Sequence, residues 1–251
     1  MYNITLIGTI HSEIGKCNSE ELYKIIESIN PEVIFEELPK NLFDLFYKGK
    51  CHFEELQKNL KYKLPNNLLD KIEALPLSEI PVEVACVKKY LQNHNIKNIS
   101  VDIDINLELS EEMEIMFGEF YRHDDVYKKL VDENKLLTEQ YGFDYLNSEN
   151  YLDLDEKVKF REKQLIESNA FFGEKLLRIY ELSHKEIIDD RENVMLQDIY
   201  KYSKENQYNQ AVFLIGAGHR KSIMEKIMEY EKQSDIKLNW TTYSNKQRNS
   251  H

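Results

Sequence analysis

Ile4-Thr5-Leu6-Ile7-Gly8 is a run without a charged residue, closed by glycine, the pattern of a strand buried on both faces of a parallel sheet. A loop then leads to Asn18-Ser19-Glu20-Glu21, a helix-capping sequence. Beyond it Leu22, Ile25, Ile26 and Ile29 fall on one helical face until Pro31 ends the pattern. Residues 32–38, Glu-Val-Ile-Phe-Glu-Glu-Leu, read as a second strand. Strand, helix and strand in so short a span predict a right-handed parallel crossover.

Farther along, residues 40–75 are polar and aromatic with weak helical periodicity, and 78–93 form a helix pattern with Val84, Val87 and Leu91 on one side. A third strand is expected from Asn98, in Asn-Ile-Ser-Val-Asp-Ile-Asp-Ile. The stretch from about 108 to 182 is charged and helix-prone, and reads as a helical insertion or cap. A second capping box, Ser183 with Glu186, is expected to open a helix reaching about residue 205. Ala-Val-Phe-Leu-Ile-Gly at 211–216 is another strand, His219 begins a helix with Ile223, Ile227 and Tyr230 on one stripe, and a last strand from Ile236 alternates as a sheet edge does. The fold class is therefore α/β, a mostly parallel central sheet flanked by helices. One domain is expected over 1–251, its core from 1–107 and 183–243, with a flexible tail at 244–251.

A net charge of −12 over 251 residues, with Lys and Glu interspersed, argues against nucleic acid as a partner, because phosphate binding needs clustered cations. No run of about eighteen apolar residues and no signal peptide is evident, so a cytoplasmic protein that does not enter membranes is expected. Cys17, Cys51 and Cys86 are too few and too scattered for a disulfide framework. The segment from Gly8 to Lys16 has the wrong spacing for a phosphate loop.

The chemistry points to two copies of one hexamer, Leu-Ile-Gly-x-x-His, ending at His11 and His219. Of the eight glycines in the chain, Gly8, Gly15, Gly216 and Gly218 lie in or beside these segments. Ligands of open parallel sheets bind beyond the carboxyl ends of the strands, so both histidines are aimed at the same edge. Acids end the other strands there: Glu36 and Glu37, whose side chains alternate to opposite faces, and Asp102 and Asp104, which point together. Arg191 lies on an otherwise apolar stripe with Ile188 and Met195. An inward guanidinium cannot shed its proton, so it needs a carboxylate or a ligand anion.

These residues resemble the TraB/PrgY and Tiki group, within the superfamily of erythromycin esterase-like and ChaN-like proteins. Gly8-Thr9-Ile10-His11 is similar to the group's first Gly-Thr-x-His motif, Pro31–Leu38 to its strand ending in Glu-Leu, and Gly216-Ala217-Gly218-His219 to its closing Gly-x-x-His. Arg191 to Met195 resembles an Arg-x-x-x-Met helix. Val101 to Leu107 resembles an Asp-Arg motif, with Ile103 where Arg is usual. The resemblance implies a hydrolase of peptide or ester bonds, acting on a peptide or small-molecule substrate. In that reading His11, His219, Glu37 and Asp102 are the candidate ligands of a divalent metal, Mn or Zn. Glu37, Glu36, Arg191 and Asp104 are the candidate catalytic residues, with Glu36 or Asp104 as base and Arg191 holding a substrate carboxylate or an oxyanion. The alternative is a non-catalytic protein that sequesters a peptide or a haem-like ligand in the same crevice.

Overall fold

The computed structural model describes residues 2–48, 80–103, 107–168 and 173–244. Strands β1 (Tyr2–Thr9), β2 (Val33–Pro39), β3 (Lys97–Asp102), β4 (Gln210–Gly216) and β5 (Leu238–Thr242) form one sheet in the order β3-β2-β4-β1-β5. Every neighbouring pair is parallel, and β5 stands at the edge as its alternation predicts. Helix α1 (Ser19–Ile29) begins where the capping sequence places it, with the Asn18 side chain accepting from the Glu21 N–H. It ends on Asn30 in the left-handed region, φ 52°, just before Pro31.

Side-chain alternation along the strands divides the core in two. Val212 and Leu214 of β4, with Ile7 and Ile34, pack under α1 and α3 (Val82–Asn93) through Leu22, Ile25, Ile26, Val87 and Tyr90. Phe213 and Ile215, with Leu6 and Phe35, pack under α9 (Asp190–Glu205) and α10 (Arg220–Gln233) through Met195, Ile199, Ile223 and Ile227. Each such side chain contributes roughly 1.5–3 kcal/mol by leaving water. Cys17 and Cys86 are buried free thiols on the α1 side. Helix α2 (Lys40–Lys48) follows β2, and residues 49–79, which include Cys51, lie outside the described residues.

The insertion is helical as expected: α4 (Leu107–His123), α5 (Asp125–Tyr141), α6 (Phe143–Leu146), α7 (Glu149–Glu167) and α8 (Gly173–Ser183). It has a small core of its own around Met116, Phe120, Tyr127 and Ile166. The one-turn α6 buries Phe143, Tyr145 and Leu146 in the main core. Directly after it, Asn147 accepts from the Gly8 N–H at 2.7 Å and donates to the Gly8 carbonyl at 3.0 Å. β5 pairs with β1 only as far as Leu6, so Asn147 satisfies backbone groups of β1 that β5 does not reach.

The expectation that Ser183 opens a helix is corrected. α8 continues into a π-helical turn, His184–Asp189, and on into α9. The carbonyls of α8 supply the acceptors that a true helix start lacks, so no cap is required there. The wider π turn directly precedes Arg191 and Glu192, and such turns often accompany functional sites.

β1 passes to α1 on one face while its neighbour β4 passes to α10 on the other. Adjacent parallel strands whose connections part to opposite faces open a crevice at their carboxyl ends. The two hexamers meet there, but one residue out of register: Gly8 pairs with Ile215, and Thr9 with Gly216. Equivalent residues consequently point to opposite faces, Leu6 toward α9 and α10, Leu214 toward α1. Two copies of one hexamer thus adopt different orientations in the sheet.

Candidate functional site

Glu37, at the end of β2, is the centre of the crevice, its side chain 5% exposed. One oxygen, Oε1, accepts from Arg191 Nη2 at 2.8 Å and faces His219 Nε2 at 3.4 Å. The other accepts from the Gly216 backbone N–H, and a Cβ at Gly216 would come within 3.2 Å of that oxygen. Burial alone would push the Glu37 carboxyl up. His219, Arg191, His11 and the Gly216 N–H outweigh it and hold the group below its ordinary range.

His219 ends the short 3-10 turn Ala217–His219 between β4 and α10. Its Nδ1 lies 2.7 Å from Glu192 Oε1, which also accepts from the Ser222 hydroxyl. Glu192 is fully buried, and its second oxygen pairs with Lys226 Nζ at 2.8 Å. Burial disfavours the His219 imidazolium, but the Glu37 and Glu192 carboxylates prevail and raise its pKa. The ring is thus held at Nδ1 by one carboxylate and presents Nε2 to another.

His11 emerges from the other side of the crevice in the loop after β1. Its Nδ1 lies 3.3 Å from Glu83 Oε1 on α3, with the imidazole 67% exposed. The hydrogen bond and the charge of Glu83 raise its pKa to about 9, and Glu37 adds to the shift. Solvent screening limits what so open a pair contributes to stability. Neither Glu83 nor Glu192 was among the candidates read from the sequence. Glu192 had one signal, its place beside Arg191 in the motif stretch; Glu83 had none.

Arg191 finds the carboxylates its burial demands. Its Nε and Nη2 donate to the two oxygens of Asp102 at 2.9 and 2.6 Å, while Nη2 also serves Glu37. Its side chain is 10% exposed. The guanidinium therefore ties β2 and β3 to α9. Asp102 is fully buried and also accepts from the Ile103 N–H; burial pushes its carboxyl up against the pull of Arg191. Glu36 turns away from Glu37, as alternation requires, and accepts from the Tyr47 hydroxyl at 2.8 and 3.0 Å. Burial raises its pKa to about 7. Asp104 lies outside the described residues.

Charge tests the fit of a metal. When ionised, Glu37, Asp102, Glu192 and Glu83 carry four negative charges against two fixed cations, Arg191 and Lys226; the His11 and His219 imidazoles, whose pKa values are both raised, supply the other two when protonated. A divalent cation would supply the same two. His11, His219 and Glu37 have the right chemistry, two imidazoles and a carboxylate, and an imidazole held at Nδ1 by a carboxylate is the usual state of a metal-ligating histidine. Asp102 does not fit, because both its oxygens are committed to Arg191 and the backbone. Among the described residues, no three of these side chains already stand in ligand geometry, so an ion would have to displace the contact between His219 and Glu37.

The insertion reaches the same loops. Lys159 of α7 donates to the Gly218 carbonyl at 2.9 Å, and Arg220 donates to the carbonyls of Leu146, Asn147 and Ser148. No helix among the described residues is long and apolar enough to cross a membrane.

No protein-family model matches the chain. It is similar to the uncharacterized protein MJ1365 of Methanocaldococcus jannaschii, 26% identical over 249 residues that cover 94% of this chain and 56% of that protein. The chain thus spans a little over half the length of this relative.

Proposed function

We propose that the chain is a metal-dependent hydrolase of the TraB/Tiki type that cleaves a peptide or ester bond, with His11, His219 and Glu37 as ligands of Mn or Zn. The observation that carries this reading is His219, fixed at Nδ1 by buried Glu192 and presenting Nε2 toward Glu37. When bound, such an ion supplies Lewis acidity that polarises a carbonyl and acidifies water. The protein's own part is preorganisation. Arg191 and the Gly216 N–H keep Glu37 ionised and aimed. Glu192, anchored by Ser222 and Lys226, keeps a proton on Nδ1 of His219 and leaves Nε2 as donor atom. The insertion, clasped to the His219 loop through Lys159, covers part of the crevice and offers the surface on which a substrate would be selected.

The test is elemental analysis of protein purified without added metal, beside the His11→Ala/His219→Ala double variant, with turnover measured on nitrophenyl esters and a peptide panel. One equivalent of ion in the parent alone, with chelator-sensitive hydrolysis, supports the reading. A parent that holds no ion, does not melt higher with Mn or Zn and turns over nothing would end it. An ion retained without any turnover would favour sequestration of a ligand.

A further inference from the structure

Glu83 stands in the first turn of α3, 8% exposed. Three contacts tie that turn to the loop carrying His11. The Val82 N–H donates to the His11 carbonyl at 3.2 Å. The Thr9 hydroxyl donates to Glu83 Oε1 at 2.5 Å, and the same oxygen lies 3.3 Å from His11 Nδ1. The other oxygen, Oε2, is buried without a hydrogen-bond partner. Leaving a buried acceptor unsatisfied is destabilising, so packing alone does not account for an acid at this position.

The same grouping stands across the crevice with other residues, where Glu192 Oε1 takes both His219 Nδ1 and the Ser222 hydroxyl. Carboxylate, hydroxyl and imidazole thus recur on both sides of Glu37. They do so although the hexamers are out of register and the two carboxylates come from helices on opposite faces of the sheet. We propose that Glu83 is the positioning residue of His11, the counterpart of Glu192: it keeps a proton on Nδ1, fixes the rotation of the ring and leaves Nε2 as the donor atom. The ion-binding part of this inference rests on the reading of His11 as a ligand; the tautomer part does not.

Both parts are tested on the full chain. Stripped protein is titrated with Mn or Zn alone, with circular dichroism and the metal-free melting temperature as checks on folding. Glu83→Ala binds the ion about 10–100-fold more weakly than the parent. Glu83→Gln, which keeps an acceptor for Nδ1–H, falls between them and carries the comparison if the alanine variant does not fold. Two-bond proton–nitrogen spectra of histidine-labelled, metal-free protein, at a pH where the ring is neutral and with His11→Gln for assignment, read the tautomer directly. The parent shows Nδ1–H at His11, and Glu83→Ala shifts toward Nε2–H. An unchanged tautomer in the variant, or ion affinity unchanged where His11→Ala abolishes binding, overturns the proposal. The predicted tautomers in a parent that takes up no ion uphold Glu83 as the positioning residue and remove the metal.

Discussion

Replacing Arg191 by Met strands two carboxylates that share one guanidinium. Asp102 is fully buried and loses two hydrogen bonds; Glu37, 5% exposed, loses one. Removing one partner of a buried ion pair costs about 3–5 kcal/mol, because the remaining charge is left in a medium that solvates it poorly. For a domain of this size that lowers the melting temperature by about 6–20 °C, at about 2–4 °C per kcal/mol. The loss has a characteristic pH dependence. In the variant, burial raises the Asp102 carboxyl further above its unfolded value, so the penalty is full above the raised value and fades as pH falls toward the unfolded value near about 4. Urea unfolding of metal-free protein, followed by circular dichroism, therefore shows a wide gap between parent and variant at about pH 8 and a narrower one at about pH 5. Adding Asp102→Asn removes one stranded charge and recovers about 2 kcal/mol, roughly half the loss. A single variant that loses less than about 1 kcal/mol, or the same amount at both pH values, would refute the reasoning that this arginine neutralises buried acids.

The adjacent acids of β2 respond in opposite ways to the same change. The pKa of Glu36 is raised to about 7, so it weakens the fold as pH climbs from the unfolded carboxylate range to that value. Glu36→Gln removes this loss and is at least as stable as the parent at about pH 8. Glu37, held below its ordinary range, contributes stability present above the unfolded value and lost as pH falls through the folded one, so Glu37→Gln is destabilised at neutral pH; urea midpoints across pH compare the two. His11, with its pKa raised to about 9, contributes stability that is complete below its unfolded value of about 6.5 and lost as pH rises through about 9. Thermal scans of metal-free His11→Gln show a flatter profile over that window. A Cβ at Gly8 would lie 2.5 Å from Arg220 Cδ, and three carbonyls pin that guanidinium; Gly8→Ala loses about 1–3 kcal/mol in chemical denaturation. With free Mn or Zn at about a hundred times its Kd, the parent gains about 2.7 kcal/mol in the same assay, and the double histidine variant gains nothing.

Much of this architecture is legible in local sequence. Uninterrupted apolar runs closed by glycine mark β1 and β4, the Asn18 cap and Pro31 bracket α1, and alternation separates Glu36 from Glu37. The stripe that buries Arg191 also implies its carboxylates. Other features depend on which distant segments meet. Glu83 belongs to a helix whose visible pattern is Val84, Val87 and Leu91, and nothing local shows that its first turn lands on residue 11. Asn147 acts as backbone for β1 from an insertion far along the chain. The Ser183 cap is a local preference that the preceding helix overrides. Register is equally nonlocal: two identical hexamers say nothing about the single-residue slip that turns them to opposite faces.

That slip has a mechanical consequence. His11 is gripped by the helical layer on one side of the sheet and His219 by the layer on the other, so a ligand bridging the two rings would add a rivet between the two halves of the sandwich. Occupancy would then be felt as cooperativity, with amide exchange in α1 and α10 slowing in step although neither helix touches the bound species.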